Sequence, residues 1–266
     1  SRFLTHLYGV NKSQIDEALR WADISTMFYE RIGKDDELVL SDVLNAKGAA
    51  LEVAGRYDEA LEIHKRALQI REAHLPEDHP VVSGSMSNLG LTYYSRGEYD
   101  EALEVHLENL RRRQQAVGET HPDLMELYNA IGMTYETTGR HEESLREYQN
   151  ALAVAEASVG LDHVMLDDLY NNLGNVYIDL GRYDDARDVL LKALGMYEER
   201  FGPRSFPVAR GLNNLANAYS YLEQDEKSLD AQRKALSILE DVFGPDHAHY
   251  GMVRDNIGVI LRDLGT

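Results

Sequence analysis

The chain of 266 residues has no cysteine, which excludes disulfides and thiolate metal sites. That absence fits a reducing compartment, and a cytoplasmic location is expected. No run of about 18 apolar residues occurs, so nothing reads as a membrane-spanning helix. The opening SRFLTHLYGV has neither the charged start nor the cleavage site of a secretory leader. It also has no initiator methionine, and an excised piece or a processed chain is expected. Asn11-Lys12-Ser13 matches a glycosylation sequon, which carries no weight without secretion. Positive charge is scarce: 27 Lys and Arg stand against 46 Asp and Glu, a net charge of −19. Such a balance repels nucleic acid and anionic membranes and favours basic partners, besides helping solubility. No phosphate-binding glycine loop, nucleophile elbow or HExxH is present. The expectation is a non-enzyme without cofactor or metal.

What the chain has is a period. AGRYDEAL (54–61) returns as RGEYDEAL (96–103), then as TGRHEESL, LGRYDDAR and LEQDEKSL. Gly55, Gly97, Gly139 and Gly181 are each 42 apart, and Glu223 and Gly265 continue the series. A second series runs Gly48, Gly90, Gly132, Gly174, Ala216, Gly258. A third, Leu68, Leu110, Leu152, Leu194, Leu236, is invariant. The expected organisation is one solenoid over 1–266: a degenerate repeat (1–40), full repeats at 41–82, 83–124, 125–166, 167–208 and 209–250, and a half repeat (251–266).

Each repeat reads as two helices. Tyr170, Leu173, Gly174, Tyr177 and Leu180 recur at helical spacing, and the glycine of LGRY ends that helix. A second helix starts near Asp184 and runs to about Phe201. Prolines are few, and they punctuate the next boundary, as in His79-Pro80, His121-Pro122, Gly202-Pro203 and Gly244-Pro245. Ala60, Ala102, Ser144, Ala186 and Ser228 lie on the apolar face of the second helices, where small side chains let backbones approach. Asn109 interrupts another small column, held elsewhere by Ala67, Ala151, Ala193 and Ala235.

These residues resemble the tetratricopeptide repeat family. Its L-G-x2-Y core stands as Leu89-Gly90-x2-Tyr93, Ile131-Gly132-x2-Tyr135, Leu173-Gly174-x2-Tyr177 and Leu215-Ala216-x2-Tyr219. Its A-x3-aromatic element is matched loosely by Ala60-x3-His64, Ala102-x3-His106 and Ser144-x3-Tyr148. The family tryptophan is replaced by Leu44, Met86, Tyr128, Tyr170 and Leu212. The period of 42, LxNLGxxY and GRYxEAL look like the kinesin-light-chain class, and bacterial signalling proteins carry similar repeats. The resemblance implies an all-α, right-handed superhelix of about thirteen helices, with first helices on the concave side and second helices on the convex side.

The first helices are rich in asparagine, a mediocre helix former. One column reads Asn45, Ser87, Asn129, Asn171, Asn213, Asp255; the next Ala46, Asn88, Ala130, Asn172, Asn214, Asn256; a third Ala49, Leu91, Met133, Asn175, Asn217, Val259. An amide can pair with any peptide backbone, so a row of them could hold an extended segment. Equally, they could bond neighbouring helices and set the angle between repeats. The candidate peptide-binding set is Asn88, Asn129, Asn171, Asn172, Asn175, Asn213, Asn214, Asn217 and Asn256, with Tyr94, Tyr221, Glu136, Asp168 and Asp179. Acidic groove positions, among them Asp42, Glu52, Glu126, Asp255 and Asp263, outnumber Arg210 and Arg262. A basic or neutral protein or peptide partner is therefore expected, with an apolar anchor near Tyr94, Leu91 and Met133 or near Tyr221.

Other candidates have plainer readings. His79, His121, His163 and His247 share one linker position and are expected to cap or pack the turn. His64 and His106 are expected to pack, Trp21 to lie in the core, and Arg111-Arg112-Arg113 to be solvated. His247-x-His249 lacks an evident third metal ligand. The last helix keeps Ile257, Ile260, Leu261 and Leu264 without a partner helix. A fragment of a longer signalling or adaptor protein is expected, or self-association through the terminal half-repeats.

Overall fold

The computed structural model describes residues 12–32, 37–158, 165–245 and 247–263. Among these, twelve helices follow one another and no strand occurs. They are α1 (Lys12–Ile32), α2 (Glu37–Val53), α3 (Tyr57–His74), α4 (Pro80–Arg96), α5 (Tyr99–Val117), α6 (Leu124–Thr137), α7 (His141–Ser158), α8 (Leu166–Asp179), α9 (Tyr183–Phe201), α10 (Phe206–Tyr221), α11 (Asp225–Phe243) and α12 (Ala248–Asp263). The expected all-α series of helix-turn-helix repeats is the fold found; His163, Leu264 and Gly265 lie outside the described residues.

The 42-residue glycine series ends the first helices. Gly55, Gly97, Gly139 and Gly181 have φ of 73°, 81°, 74° and 72°. Each closes its helix by two backbone bonds, as where Gly181 N–H donates to Ile178 and Arg182 N–H to Tyr177. Glu223 makes the same closure at φ 59°, a left-handed conformation a side chain disfavours. The linker histidines cap: His79 Nδ1 accepts from Val81 N–H at 3.2 Å, His121 Nδ1 from Asp123 N–H at 3.3 Å and His247 Nδ1 from His249 N–H at 3.3 Å.

Two compact units are distinguished, residues 1–134 and 135–266. In the first, α1 to α5 pack each on the next, and α2 also touches α4. A Cβ on Gly48 would meet the His64 ring at 2.4 Å, and one on Gly90 would meet His106 at 2.4 Å. Both histidines are wholly buried, as a packing role requires, and no hydrogen bond reaches their ring nitrogens. Desolvation lowers both to a pKa of about 4, so they are neutral.

Two expectations fail in this unit. Trp21 is 61% exposed, with Phe28 and Ile24 on the same side of α1. The opposite face, with Ile15 and Leu19, holds the core contact with Leu51 and Ala60. The arginine run is not uniformly solvated. Arg111 is exposed beside Glu108, but Arg113 is buried and donates to the Asp78 carbonyl at 2.9 Å and to Asp123 at 2.5 Å. Arg71, one repeat earlier, is buried the same way against Ser41, Ser85 and Asp42.

In the second unit, α7 to α12 again pack in sequence, and α8 touches α10. Leu190 stands where His64 and His106 stand, against the bare Cα of Gly174. Ala186, Leu190, Leu215 and Ala218 form one core cluster. Arg182 lies over the Tyr177 ring at 4.5 Å, and Arg140 over Tyr135 at 4.3 Å, so each arginine after the glycine covers the tyrosine of its own repeat.

Candidate functional site

The first and second asparagine columns meet across repeats. Asn88 Nδ2 donates to Asn45 Oδ1 at 2.8 Å, Asn214 Nδ2 to Asn171 Oδ1 at 3.0 Å, and Asn256 Nδ2 to Asn213 Oδ1 at 3.2 Å. Every pair is separated by 43 residues, one repeat plus one position. The bond thus runs from a first helix to the first helix of the next repeat. Asn213 also accepts from Gln232 of α11 at 3.3 Å. Asn171 is 3% exposed, and the others of these pairs are half-buried. Asn129 and Asn172 are half-buried on α6 and α8.

Asn109 belongs to the same system. Where Ser87 replaces the first-column asparagine, buried Asn109 of α5 donates to Ser87 Oγ at 3.1 Å and to the Ser83 carbonyl at 2.9 Å. An amide lost from one helix is supplied by the helix packed against it.

The third column behaves differently. Asn175 and Asn217 are half-buried, and neither amide bonds to another described residue. Both line a cavity of about 550 Å³ whose other walls include Glu136, Asp179, Ile178 and Tyr221. Five sequence candidates from α6, α8 and α10 are thereby brought together. Glu136 accepts from Tyr148 O–H at 2.9 Å. Burial, partly offset by that bond and reinforced by Asp179, pushes its carboxyl up to about 7. Asp179 has His141 Nδ1 at 3.4 Å. The Tyr221 ring is stacked on Tyr183, centroids 4.8 Å apart.

A second cavity, of about 280 Å³, adjoins it through Asn175. Its floor carries Asn171, Asn172 and Asn214, and its apolar walls include Phe206, Met252 and Val253. Arg210 borders it, but its charge is taken up by Asp168, which also accepts from Tyr197 O–H at 2.7 Å.

Several expected groove carboxylates are therefore already bonded within the chain. Asp42 is held by Arg71, Asp168 by Arg210, and Glu52 accepts from Thr92 O–H. Tyr94 lines neither cavity; its ring is edge-on to Tyr99 at 5.4 Å. Phe206, Met252 and Tyr183 were not singled out from sequence. Phe206 opens α10 within the irregular RSFP boundary, where no helical period yet marks it, and Tyr183 opens a second helix. Among the described residues, no cluster of three or more His, Asp or Glu is placed to hold a metal. No helix described is long and apolar enough to cross a membrane.

Comparison with known proteins places these repeats. No match was found among curated proteins. Solved structures share the fold at low identity. BtubC (BKLC) from P. vanneervenii has a TM-score of 0.75 at 19% identity, covering 86% of this chain and 92% of that one. A kinesin light chain protein of nearly identical TPR-like repeats from Podosopora anserina gives 0.67 at 16%, covering 77% and 97%. The apo form of RapI gives 0.70 at 14%, covering 95% and 69%. The family model described as tetratricopeptide repeat matches residues 39–108, 81–157 and 123–199, and a second model of the same description matches 208–249. With most of its length matched, the chain belongs to the tetratricopeptide repeat family.

Proposed function

We propose that this chain is a non-enzymatic scaffold that binds an extended protein or peptide segment along the surface of its first helices. The carrying observation is the pair Asn175 and Asn217, whose amides bond to no described residue and line an open cavity. These half-buried amides face an open cavity, where they can exchange water for the backbone of a bound peptide. The surrounding carboxylates Glu136 and Asp179 favour a basic or neutral segment over an acidic one. The chain would act in the cytoplasm as the sensing or adaptor part of a larger signalling protein. The first test is a peptide-display selection against the whole chain. Enrichment of basic or neutral segments supports the reading; enrichment of acidic segments, or of none, contradicts it.

One observation favours a second reading, self-association through an end face. Trp21, Phe28 and Ile24 present an exposed apolar strip on α1. A mass that rises with concentration in sedimentation, and no longer rises in Trp21→Ser, is the outcome this reading requires.

A further inference from the structure

We propose that the two adjoining cavities of the second unit form paired subsites for one segment, with an apolar side chain in one and a cationic side chain, two or three residues away, in the other. The proposal rests on the scaffold reading and names its partner chemistry.

The smaller cavity is built for one apolar side chain and its peptide unit. At about 280 Å³ it is below the usual size for drug-like ligands. Phe206, Met252 and Val253 offer apolar contact, with Met252 48% exposed at the mouth. Its polar wall is fixed in advance. Asn171 is almost fully buried, and its Oδ1 is held by Asn214. Asn171 lines the cavity, and its Nδ2 donates to no described residue. That donor suits a carbonyl of an incoming main chain.

The larger cavity is acidic: Glu136 and Asp179 line it, no lysine or arginine among the described residues does, and the basic side chain beside Asp179 is His141, at 3.4 Å. Arg210, at the border of the neighbouring cavity, is neutralised by Asp168. Glu136 is oriented by the Tyr148 hydroxyl, which fixes where its charge points. Its carboxyl is pushed up to about 7 because burial removes water without supplying a counter-charge. An entering guanidinium or ammonium would supply one. The Tyr221 ring, rigid against Tyr183 and 57% exposed, offers a flat face for that cation.

Spacing joins the two. Asn175 belongs to both walls. On α8 the linings run from Asn171 to Asp179, so the two centres lie on the order of 7–10 Å apart at a rise of 1.5 Å per residue. An extended chain covers that distance in about two or three residues. Asn175 and Asn217 then face the main chain between the two side chains.

The test uses the full chain, uniformly labelled for NMR titration, and the capped peptides Ac-Ser-Leu-Ser-Arg-Ser-NH2 and Ac-Ser-Leu-Ser-Ser-Arg-Ser-NH2. Each is compared with a form carrying citrulline for arginine and one carrying serine for leucine. The expected result is saturable shifts at Asn175 and Asn217, with each replacement weakening binding at least tenfold. In Glu136→Gln/Asp179→Asn, with helicity checked by circular dichroism, arginine and citrulline should bind alike. Tyr221→Ala, at an exposed position, gives a second reading of the cation arm and should weaken the arginine peptides alone. Equal binding of arginine and citrulline by the parent overturns the proposal, as does a preference that survives in the carboxylate variant. If display yields segments that bind but shift other residues, the paired subsites are refuted while the scaffold reading stands. If neither these peptides nor any displayed segment binds, both fall.

Discussion

Asn214 Nδ2 donates to Asn171 Oδ1 at 3.0 Å, across 43 residues of chain and from one repeat to the next. The same bond joins Asn88 to Asn45 and Asn256 to Asn213. Two of the three asparagine columns are thus engaged in holding successive first helices together. Asn175 and Asn217 are left to face the cavity.

This division predicts opposite outcomes for chemically identical changes. Asn171→Ala removes the acceptor of the half-buried Asn214 donor and should cost about 1 kcal/mol in urea unfolding. Asn175→Ala should stay within about 0.5 kcal/mol of the parent, as substitutions away from internal contacts do. Equal losses from both would erase the distinction between the columns.

Buried neutral histidines set an acid limit. His64 and His106 have pKa values of about 4 in the folded protein against 6.5 in the reference state. The unfolded chain therefore binds more protons between those values, and stability is lost as pH falls from 6.5 toward 4. Each histidine contributes on the order of 3 kcal/mol to that loss when fully titrated. Leu190 already fills the equivalent place against Gly174. His106→Leu should accordingly flatten the acid limb of a melting-temperature profile, with little change at pH 8.

Glu136 acts with the opposite sign. Its raised carboxyl pKa gives stability that is present below the unfolded value of 4.5 and lost as pH rises through about 7. Burial raises it, the Tyr148 hydroxyl on α7 lowers it in part, and Asp179 on α8, with His141 beside that aspartate, raises it further. Glu136→Gln should make stability less dependent on pH between 5 and 8, measured by urea unfolding at each pH.

The left-handed turn at position 223 offers a gain. Glu223 has φ 59° where four repeats have glycine. Glu223→Gly removes a steric cost of about 1–2 kcal/mol and adds some unfolded-chain entropy. The net expectation is a stabilisation of about 0.5–1 kcal/mol, read as a higher urea midpoint. A lower midpoint would mean that the Glu223 side chain has a stabilising role of its own.

The repeat made much of the fold legible. The glycine series marked helix ends because a left-handed closure recurs there, and the small columns marked close approaches, with Ala60, Ala102, Ser144, Ala186 and Ser228 all fully buried. Trp21 was misread because an apolar helical face looks the same whether or not another helix covers it. Arg113 was misread because the Asp78 carbonyl and Asp123 that satisfy it lie at the preceding and following linkers. The asparagine columns were visible, but the bond between positions 43 apart depends on how one repeat leans on the next, which a period cannot state. The Glu136 pocket drew five residues from the candidate set, yet the Tyr148 hydroxyl that holds Glu136 comes from α7 and is announced by no motif.

The central claim is that the third asparagine column receives a main chain. The most direct measurement is the affinity of a display-selected segment for the parent, for Asn175→Ala/Asn217→Ala and for Asn172→Ala, each first shown to be folded by circular dichroism. The account predicts at least a tenfold loss in the double variant at an unchanged melting temperature. Undiminished affinity in that variant would contradict it.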